Sequence, residues 1–227
     1  MGCTKVSPGC AKCYAEREMS RFGRDFNAVQ RTSRRVFESP LHWKTPRRIF
    51  TCSWSDFFHP GADAWREEAW EIIKATPWHT YQILTKRPEL MVAWAKIHGW
   101  PEHVWAGTSV ESQKYAPRLG VLARVPAKVR VVSVEPMLGP VDLRQWLHPP
   151  CIDPFCSGCD AEAVLNWVIC GGESGPGFRP MELAWLEDLA GQCSDAGVPC
   201  WVKQDSGQFP GKQGRISDRL WAKKEMP

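Results

Sequence analysis

The sequence predicts an α/β protein in which helices cover a mainly parallel β-sheet. Short apolar runs rich in valine, isoleucine and tryptophan alternate with longer segments of helical pattern. These runs are almost continuously apolar, which is typical of strands buried on both faces of a parallel sheet. Because 43% of the 227 residues are hydrophobic, the chain can bury a core. We expect a single α/β domain over 1–227.

Six strands and four helices can be placed in order along the chain. The predicted strands are RRIFTCSWS (47–55), HTYQILT (79–85), HVWAGTSV (103–110), KVRVVSVE (128–135), LNWVICGG (165–172) and VPCWVKQ (198–204). The predicted helices are ADAWREEAWEIIKA (62–75), PELMVAWAKIH (88–98), SQKYAPRLGVLARV (112–125) and MELAWLEDLAGQCSDAG (181–197). A Cys-rich loop insertion is predicted over 144–164, where Pro149, Pro150 and Pro154 exclude a regular helix. The final segment, 205–227, is predicted to be a polar, Gly-rich tail.

Polar side chains follow each predicted strand at its carboxyl end. In parallel α/β folds these ends meet on one face, where ligands bind. A single serine or threonine there is more often a helix N-cap, but six such strand ends in succession favour a polar active-site mouth. The residues are Ser53, Ser55, Asp56, Thr85, Lys86, Ser109, Glu111, Ser133, Glu135, Glu173, Ser174, Lys203 and Gln204.

The positive charge of the chain is concentrated near its start. The formal net charge is +4, whereas the stretch 16–48 alone holds nine Arg/Lys against four Asp/Glu, a net of +5. An Arg-rich segment with aromatic residues, over 17–48, suits a polyanion such as nucleic acid. A solvated helix face followed by a basic loop explains the same charges equally well.

The cysteines require an explanation that does not involve disulfides. No apolar run is long enough to cross a bilayer and no signal-peptide profile opens the chain, so we expect a cytoplasmic protein without a membrane partner. A reducing compartment disfavours disulfides, yet the chain has ten cysteines. Six fall in two short groups. The other four stand singly in apolar surroundings, where buried packing is expected: Cys52, Cys170, Cys193 and Cys200.

The first group lies in the predicted cluster-binding loop, 1–14. Its C-x6-C-x2-C spacing puts Cys3, Cys10 and Cys13 within reach of one metal centre. Three thiolates are one fewer than a closed structural zinc site requires. Either a distant fourth ligand completes a zinc site, or a [4Fe-4S] cluster keeps one open iron. A helix after Cys13 would direct backbone N–H groups towards a negatively charged cluster.

The stretch GCTKVSPGCAKCYAE resembles the signature of a phage-associated protein family with a three-cysteine motif. That family is distantly similar to radical S-adenosylmethionine (radical-SAM) enzymes of the spore photoproduct lyase kind. The resemblance continues through CSWSDFF, ILTKRPEL, WAGTSVESQ, VVSVEPMLGPVDL, WVICGGESGPGFRPM and WVKQ, and so covers nearly the whole chain. It implies a partial (β/α) barrel of about six parallel strands. It also implies that the three cysteines hold a [4Fe-4S] cluster with S-adenosylmethionine on the open iron.

Two features depart from the pattern of radical-SAM enzymes. Most of those enzymes use C-x3-C-x2-C with an aromatic residue just before the last cysteine, whereas here the first gap is wider and Tyr14 follows the last cysteine. Their first barrel strand precedes the cysteines, where this sequence has only Met1 and Gly2. We therefore expect either a shortened start or a barrel that is open at this edge.

The resemblance also suggests which residues contact S-adenosylmethionine. Asp56 lies where radical-SAM folds usually bind the methionyl amino group. Three glutamates are candidates for ribose, amino or substrate contacts, and two lysines for the methionyl carboxylate. For each of these residues a structural ion pair is the alternative. The predicted cofactor-binding set is Ser53, Asp56, Lys86, Glu111, Glu135, Glu173 and Lys203.

The second cysteine group lies within the Pro-rich insertion, in LHPPCIDPFCSGCDAE. Cys151, Cys156 and Cys159, together with His148, form a candidate tetrahedral Cys3His zinc site. An auxiliary iron–sulfur cluster and reduced surface thiols are the alternatives.

Two functions from different classes remain open at this stage. The first is an enzyme that cleaves S-adenosylmethionine reductively, with an electron donor, to give a 5′-deoxyadenosyl radical that abstracts hydrogen from a substrate. The basic flank and thirteen tryptophans favour a nucleic-acid base or nucleotide as that substrate. The second is a zinc-stabilised nucleic-acid-binding protein without catalysis, against which the polar strand ends count.

Overall fold

The computed structural model describes residues 1–147 and 164–227. These residues form two compact units. The N-terminal unit comprises Met1–Thr108 with Arg124–Lys128, and the C-terminal unit comprises Ser109–Ala123 with Val129–Pro227. Each unit has its own parallel strands and is described by itself, and the single domain over 1–227 stays a prediction.

In the N-terminal unit, three parallel strands carry the polar ends that the sequence predicted. They are β1 (Arg48–Phe50), β2 (Thr80–Thr85) and β3 (Val104–Ser109). Ile49 of β1 lies opposite Tyr81 of β2, and Ile83 of β2 lies opposite Ala106 of β3. Tyr81 and Ile83 are both buried, because alternate residues of β2 point into the core.

The helices of this unit pack apolar faces on the strands and on one another. They are α1 (Tyr14–Arg21), α2 (Arg34–Phe37), α3 (Ser39–His42), α4 (Asp63–Ala75) and α5 (Pro88–His98). Trp70 of α4 is completely buried and contacts the rings of Phe57, Trp94 and Trp100 at 5.2–6.2 Å between centroids. Part of the tryptophan content is thus used in core packing.

The C-terminal unit repeats the same pattern with three further parallel strands. They are β4 (Arg130–Val134), β5 (Trp167–Gly171) and β6 (Cys200–Gln204). Val132 pairs with Val168, and Ile169 pairs with Trp201. The helices of this unit are α6 (Pro117–Leu122), α7 (Arg144–Leu147), α8 (Leu183–Asp195) and α9 (Asp218–Trp221).

The strand order confirms the predicted fold class. The six strands follow one another in the sheet in chain order, β1 to β6, and the pairs within each unit are parallel. Parallel strands that are neighbours both in sequence and in the sheet, with helices between them, are the arrangement of a (β/α) barrel. With six strands instead of eight, the barrel is partial. Within residues 1–147 and 164–227, no helix combines the length and the apolar character needed to span a membrane.

Two predicted elements are shorter than the sequence indicated. The strand predicted over 47–55 ends at Phe50, because the chain turns and Cys52 adopts a left-handed backbone conformation with φ 56°. The helix predicted over 112–125 is divided into a 3-10 turn, Gln113–Tyr115, and α6. Pro117 has no backbone N–H and begins a new helix.

The segment predicted as a polar tail packs against the C-terminal unit. Ile216 and Leu220 are buried, and the N–H of Val202 donates to the carbonyl of Lys223 at 2.9 Å. Lys224 also forms an antiparallel bridge with Trp201. A few apolar residues among many polar ones are enough to hold the segment along β6.

The single cysteines outside the two groups divide into two kinds. Cys170, Cys193 and Cys200 are buried, as expected, and the sulfurs of Cys170 and Cys200 lie 3.8 Å apart. Cys52 is exposed, so the expectation of buried packing is wrong at that position. The turn that ends β1 places its side chain at the surface.

Candidate metal centre and polar strand ends

The three N-terminal cysteines lie on one loop, and all three thiols are free and half-buried. Cys10 ends a 3-10 turn, in which its N–H donates to the carbonyl of Ser7 at 2.9 Å. Cys13 is the N-cap residue of α1, with an extended backbone that leads the chain into the helix. Cys13 therefore stands at the positive end of the helix dipole.

Backbone contacts hold the start of this loop beside the chain that follows β1. The N–H of Gly2 donates to the carbonyl of Trp54 at 2.9 Å, and Gly2 forms a parallel bridge with Ser55. Gly2 has φ 89°, and a β-carbon on it would lie 2.6 Å from the carbonyl oxygen of Ala28. Only glycine fits such a position. Gly2, directly before Cys3, is therefore paired in parallel with the chain that follows β1.

Cys3 and Cys13 pack against the same small apolar cluster. Ala15, Met19 and Phe26 form the buried part of this cluster. The N–H of Cys3 also donates to the carbonyl of Phe26 at 2.8 Å. The first and third cysteines therefore pack on the same cluster, although they are ten positions apart in the sequence.

Arg87, which the sequence analysis did not identify, connects the cysteine loop to the end of β2. Its guanidinium forms a buried ion pair with Asp56 at 2.8 Å and donates to the carbonyl and hydroxyl of Thr4 at 3.0 and 2.9 Å. It also approaches the sulfur of Cys3 at 3.8 Å. A positive charge therefore lies beside the first cysteine. The position of Arg87, directly after Lys86 at the end of a predicted strand, was a sequence signal that could have identified it.

The surroundings of Cys3 favour the neutral thiol when no metal is bound. Burial raises the pKa of the Cys3 thiol, the Asp56 carboxylate raises it further, and Arg87 lowers it. The net effect is a pKa above the ordinary value of 9.0. A metal ion would displace this proton, so metal binding at Cys3 should release a proton.

Asp56, predicted to bind the amino group of S-adenosylmethionine, is buried and fully engaged by the protein. One carboxylate oxygen accepts from the N–H of Phe58 at 2.9 Å and from the hydroxyl of Thr85 at 2.7 Å. The other accepts from the N–H of Lys86 at 3.3 Å and from Arg87 at 2.8 Å. Asp56 thus organises the ends of β1 and β2, and its cofactor role remains a prediction.

Ser53 and Lys86, two further predicted cofactor residues, lie in the same unit as the cysteine loop. Ser53 is exposed, and its carbonyl accepts the hydroxyl of Tyr14, the first residue of α1. Lys86 is half-buried beside Asp56. The structure therefore brings the predicted residues of β1 and β2 together with the cysteines.

In the C-terminal unit, Glu111 forms a buried ion pair. Its side chain is completely buried and lies 3.0 Å from the guanidinium of Arg118. Arg118 also donates to the carbonyl of Ser109 at 2.8 Å and lies over the ring of Tyr115 at 4.5 Å. Glu111 is thus held by the helical segment that follows it.

Glu135 follows β4 and contacts two residues of β6. The carboxylate accepts from the ammonium of Lys203 at 2.8 Å and from the amide of Gln204 at 3.1 Å. The same amide donates to the carbonyl of Gly172 at 2.8 Å. Lys203 is half exposed, so this pair is open to solvent.

Glu173 follows β5 and is paired with Arg179. Its carboxylate accepts the backbone N–H of Arg179 and the side-chain Nε, both at 2.9 Å, and a second guanidinium nitrogen contacts its other oxygen. This contact and the charge of Glu111 both raise the pKa of Arg179. Arg179 and Glu173 therefore hold the two ends of the loop after β5 together.

The three glutamates are thus neutralised by cations of the C-terminal unit itself. The sequence analysis named all three as candidate cofactor or substrate contacts, with a structural ion pair as the alternative for each. Arg118 and Arg179 were not predicted, although each follows its glutamate by only seven or six residues. Such spacing is a weak signal, because it appears in many loops that form no ion pair.

The donor set of the cysteine loop fits an iron–sulfur cluster. Across the two described ranges, no three His, Cys, Asp or Glu side chains are gathered to hold one metal ion. The cysteines of a [4Fe-4S] cluster bind different irons, so their sulfurs need not converge on one point. Three free thiols on one anchored loop are the kind and the number of ligands that a [4Fe-4S] cluster with one open iron takes from the protein. His148, Cys151, Cys156 and Cys159 lie outside the described residues.

Residues 1–224 match a family described as "Protein of unknown function (DUF5131)". The chain belongs to the DUF5131 family. The match spans the cysteine loop, the Cys-rich insertion and every predicted cofactor-binding residue. No curated protein and no solved structure matches the chain. Because the DUF5131 description names no activity and no cofactor, function has to be argued from the residues of the site.

Proposed function

We propose that this protein is a radical-SAM-like iron–sulfur enzyme whose Cys3, Cys10 and Cys13 hold a [4Fe-4S] cluster. The observation that carries the proposal is the anchored loop with three free thiols. When bound, the cluster and S-adenosylmethionine supply reductive cleavage of a carbon–sulfur bond, for which an electron donor is required. We place the protein in the cytoplasm, where such thiols stay reduced.

Contacts along the loop would hold the cysteines ready for the cluster. Arg87 fixes Thr4, directly after Cys3, through two hydrogen bonds. Lys5 forms an ion pair with Glu16 of α1 at 2.7 Å, which ties the loop to the helix that follows Cys13. A loop restrained in this way loses less conformational entropy when its thiols bind a ligand.

Two features of the chain offset the negative charge that a thiolate-bound cluster brings. Cys13 stands at the N-terminus of α1, where backbone N–H groups favour an anion. Arg87 supplies a full positive charge beside Cys3. Both contributions are already in place in the folded chain, so no rearrangement is needed to stabilise the cluster.

Accessibility separates the predicted cofactor contacts from structural pairs. Ser53 is exposed, and Lys86 is only half-buried. In the C-terminal unit, the solvent-exposed pair of Glu135 and Lys203 can exchange its contact for a polar ligand at little cost. The fully buried Glu111 cannot do so, because breaking its pair would leave an uncompensated buried charge.

We further propose that the substrate is a nucleic-acid base or nucleotide. The Arg-rich segment 17–48 supports this proposal, because Arg35, Lys44 and Arg47 are exposed. For the Cys-rich insertion we retain the proposal of a structural zinc site at His148, Cys151, Cys156 and Cys159.

The metal content of anaerobically purified protein tests the proposed function. We expect bound iron and sulfide and an absorption near roughly 400 nm from thiolate-to-iron charge transfer. Cys10→Ala should lose the iron, whereas Cys193→Ala, with its thiol in the C-terminal unit, should keep it. Zinc measured on the same samples reports on the second group. Iron retained in Cys10→Ala would contradict the assignment of the cluster to this loop. Colourless protein with zinc alone would contradict the enzyme and support the zinc-stabilised nucleic-acid-binding alternative.

A further inference from the structure

The N-terminal unit contains a cavity whose wall includes none of the three cysteines proposed to hold the cluster. Its volume is about 490 Å³, and it lies between β1, the turn after β1 and the helices α2, α3 and α4. A cavity of this size suits a small organic ligand. Six aromatic residues form much of the wall: Phe37, Trp43, Phe50, Trp54, Phe57 and Tyr81.

The polar side chains in the wall are uncharged. They include the hydroxyl residues Thr32, Ser39, Thr51 and Ser53. Aromatic surfaces with scattered hydrogen-bonding groups suit a flat heteroaromatic ring, which stacks on its faces and hydrogen-bonds at its edge.

A smaller recess of about 100 Å³ adjoins this cavity, and Thr32 and Phe37 line both. Arg31 lies in the recess, with its guanidinium 4.2 Å over the ring of Phe37 and paired with Glu68. Its Nε is buried and has no hydrogen-bond partner among residues 1–147 and 164–227. A buried donor without an acceptor is costly, and an anionic ligand would supply the acceptor.

Two exposed arginines adjoin residues that line the cavity. Val36, which lines the cavity and is 54% exposed, stands next to Arg35 on α2. Arg47 lies over the ring of Trp43 at 4.5 Å and is itself exposed. These charges favour an anion at the opening of a cavity whose interior is aromatic.

From these observations we infer that the cavity is a nucleotide-binding site. The base stacks between the aromatic walls, and the phosphate lies towards the Nε of Arg31. The ligand class is a nucleoside monophosphate, either free or as an unpaired residue of a strand. Binding of the nucleotide does not require the iron–sulfur cluster. Only its role as the substrate rests on the proposed function.

Calorimetric titration of the full chain with AMP, GMP, CMP and UMP tests the inference. At least one of these should bind, and Val36→Glu should weaken it by about tenfold, because a carboxylate at the mouth repels the phosphate. The matched control is Ile97→Glu, because Ile97 is 77% exposed, lies in the same unit and does not line the cavity. The nucleotide affinity of this variant should stay within about twofold of the wild-type value.

A second variant tests the position of the phosphate. Arg31→Lys keeps the positive charge but loses Nε and the planar fork, so it should weaken the bound monophosphate by about fivefold while leaving its nucleoside within about twofold. Melting temperatures of all variants check that they fold. A single-stranded oligonucleotide titrated in parallel distinguishes a strand residue from a free nucleotide.

Three results would overturn the inference. The first is that no nucleotide or oligonucleotide binds. The second is that a nucleotide binds and neither Val36→Glu nor Arg31→Lys changes its affinity. The third is that S-adenosylmethionine displaces the bound nucleotide. The last would assign the cavity to the cofactor's adenosine. Iron content and nucleotide binding, measured on the same anaerobically purified protein, separate the two proposals. Protein that binds a nucleotide but holds no iron contradicts only the enzyme, whereas protein that holds iron but binds no nucleotide contradicts only this site.

Discussion

Replacing Arg87 by methionine should destabilise the N-terminal unit by about 3 kcal/mol, because removal of one partner from a buried ion pair leaves the other charge uncompensated. Arg87 and Asp56 are only 11% and 8% exposed. Losses from such pairs are about 3–5 kcal/mol, and we expect the lower end because Asp56 keeps its hydrogen bonds from Phe58, Thr85 and Lys86.

Arg87→Lys separates the charge from the geometry of the guanidinium. Lysine can keep the ion pair but cannot also make both hydrogen bonds to Thr4, so we expect a loss of about 1–2 kcal/mol. The matched control is Arg21→Met, because Arg21 is 70% exposed and its pair with Glu18 spans 3.2 Å. That surface pair should contribute less than about 1 kcal/mol.

Urea unfolding followed by tryptophan fluorescence measures these differences. The expected order of stability is wild type and Arg21→Met, then Arg87→Lys, then Arg87→Met. If Arg87→Met unfolds at the same urea concentration as Arg21→Met, Arg87 does not hold the cysteine loop as we argue. Iron content measured on the same variants shows whether a loop without this anchor still holds the cluster.

Two further predictions concern charges elsewhere in the chain. Glu111→Gln should lower the free energy of unfolding by about 3 kcal/mol and Glu135→Gln by less than about 1 kcal/mol, because only the first breaks a buried pair. Glu135→Gln should instead weaken the binding of S-adenosylmethionine, measured by calorimetry. The reverse pattern would contradict both assignments. Burial, and then the charge of Arg87, lower the pKa of His59 below its ordinary 6.5. Unfolded His59 therefore takes up a proton at a higher pH than folded His59, so stability is present above pH 6.5 and is lost as the pH falls towards the folded pKa. Melting temperatures from about pH 7.5 to about pH 5.5 should fall less steeply in His59→Asn, and an equal slope would show that other groups cause the loss.

The strands could be predicted because each one is a nearly continuous apolar run bounded by polar residues. Their ends were less predictable, as β1 shows. The run over 47–55 continues past Phe50 with the β-branched Thr51 and the aromatic Trp54, but the chain turns at Cys52, where the start of the chain packs beside Trp54. A neighbour that is distant in sequence decides where this strand stops.

The C-terminal segment illustrates the same limit for packing. Its composition is that of a solvated tail, yet Ile216 and Leu220 are buried and Lys224 pairs with β6. Two apolar residues within a polar segment carry little periodic signal. Their burial depends on a surface that exists only when the C-terminal unit has folded.

The sequence by itself determined the α/β fold class and the residue types of the candidate site. Apolar runs alternating with helical patterns require a covered parallel sheet, and the spacing of Cys3, Cys10 and Cys13 puts three thiols on one loop. Only the tertiary structure decided the partners of these groups. The placement of Arg87 beside both Asp56 and Cys3, and of Arg31 in the recess that adjoins the aromatic cavity, joins segments that are far apart in the chain. Electrostatic interactions and hydrogen bonds act through space over a few ångströms, so they are set by the folded contacts and not by sequence spacing.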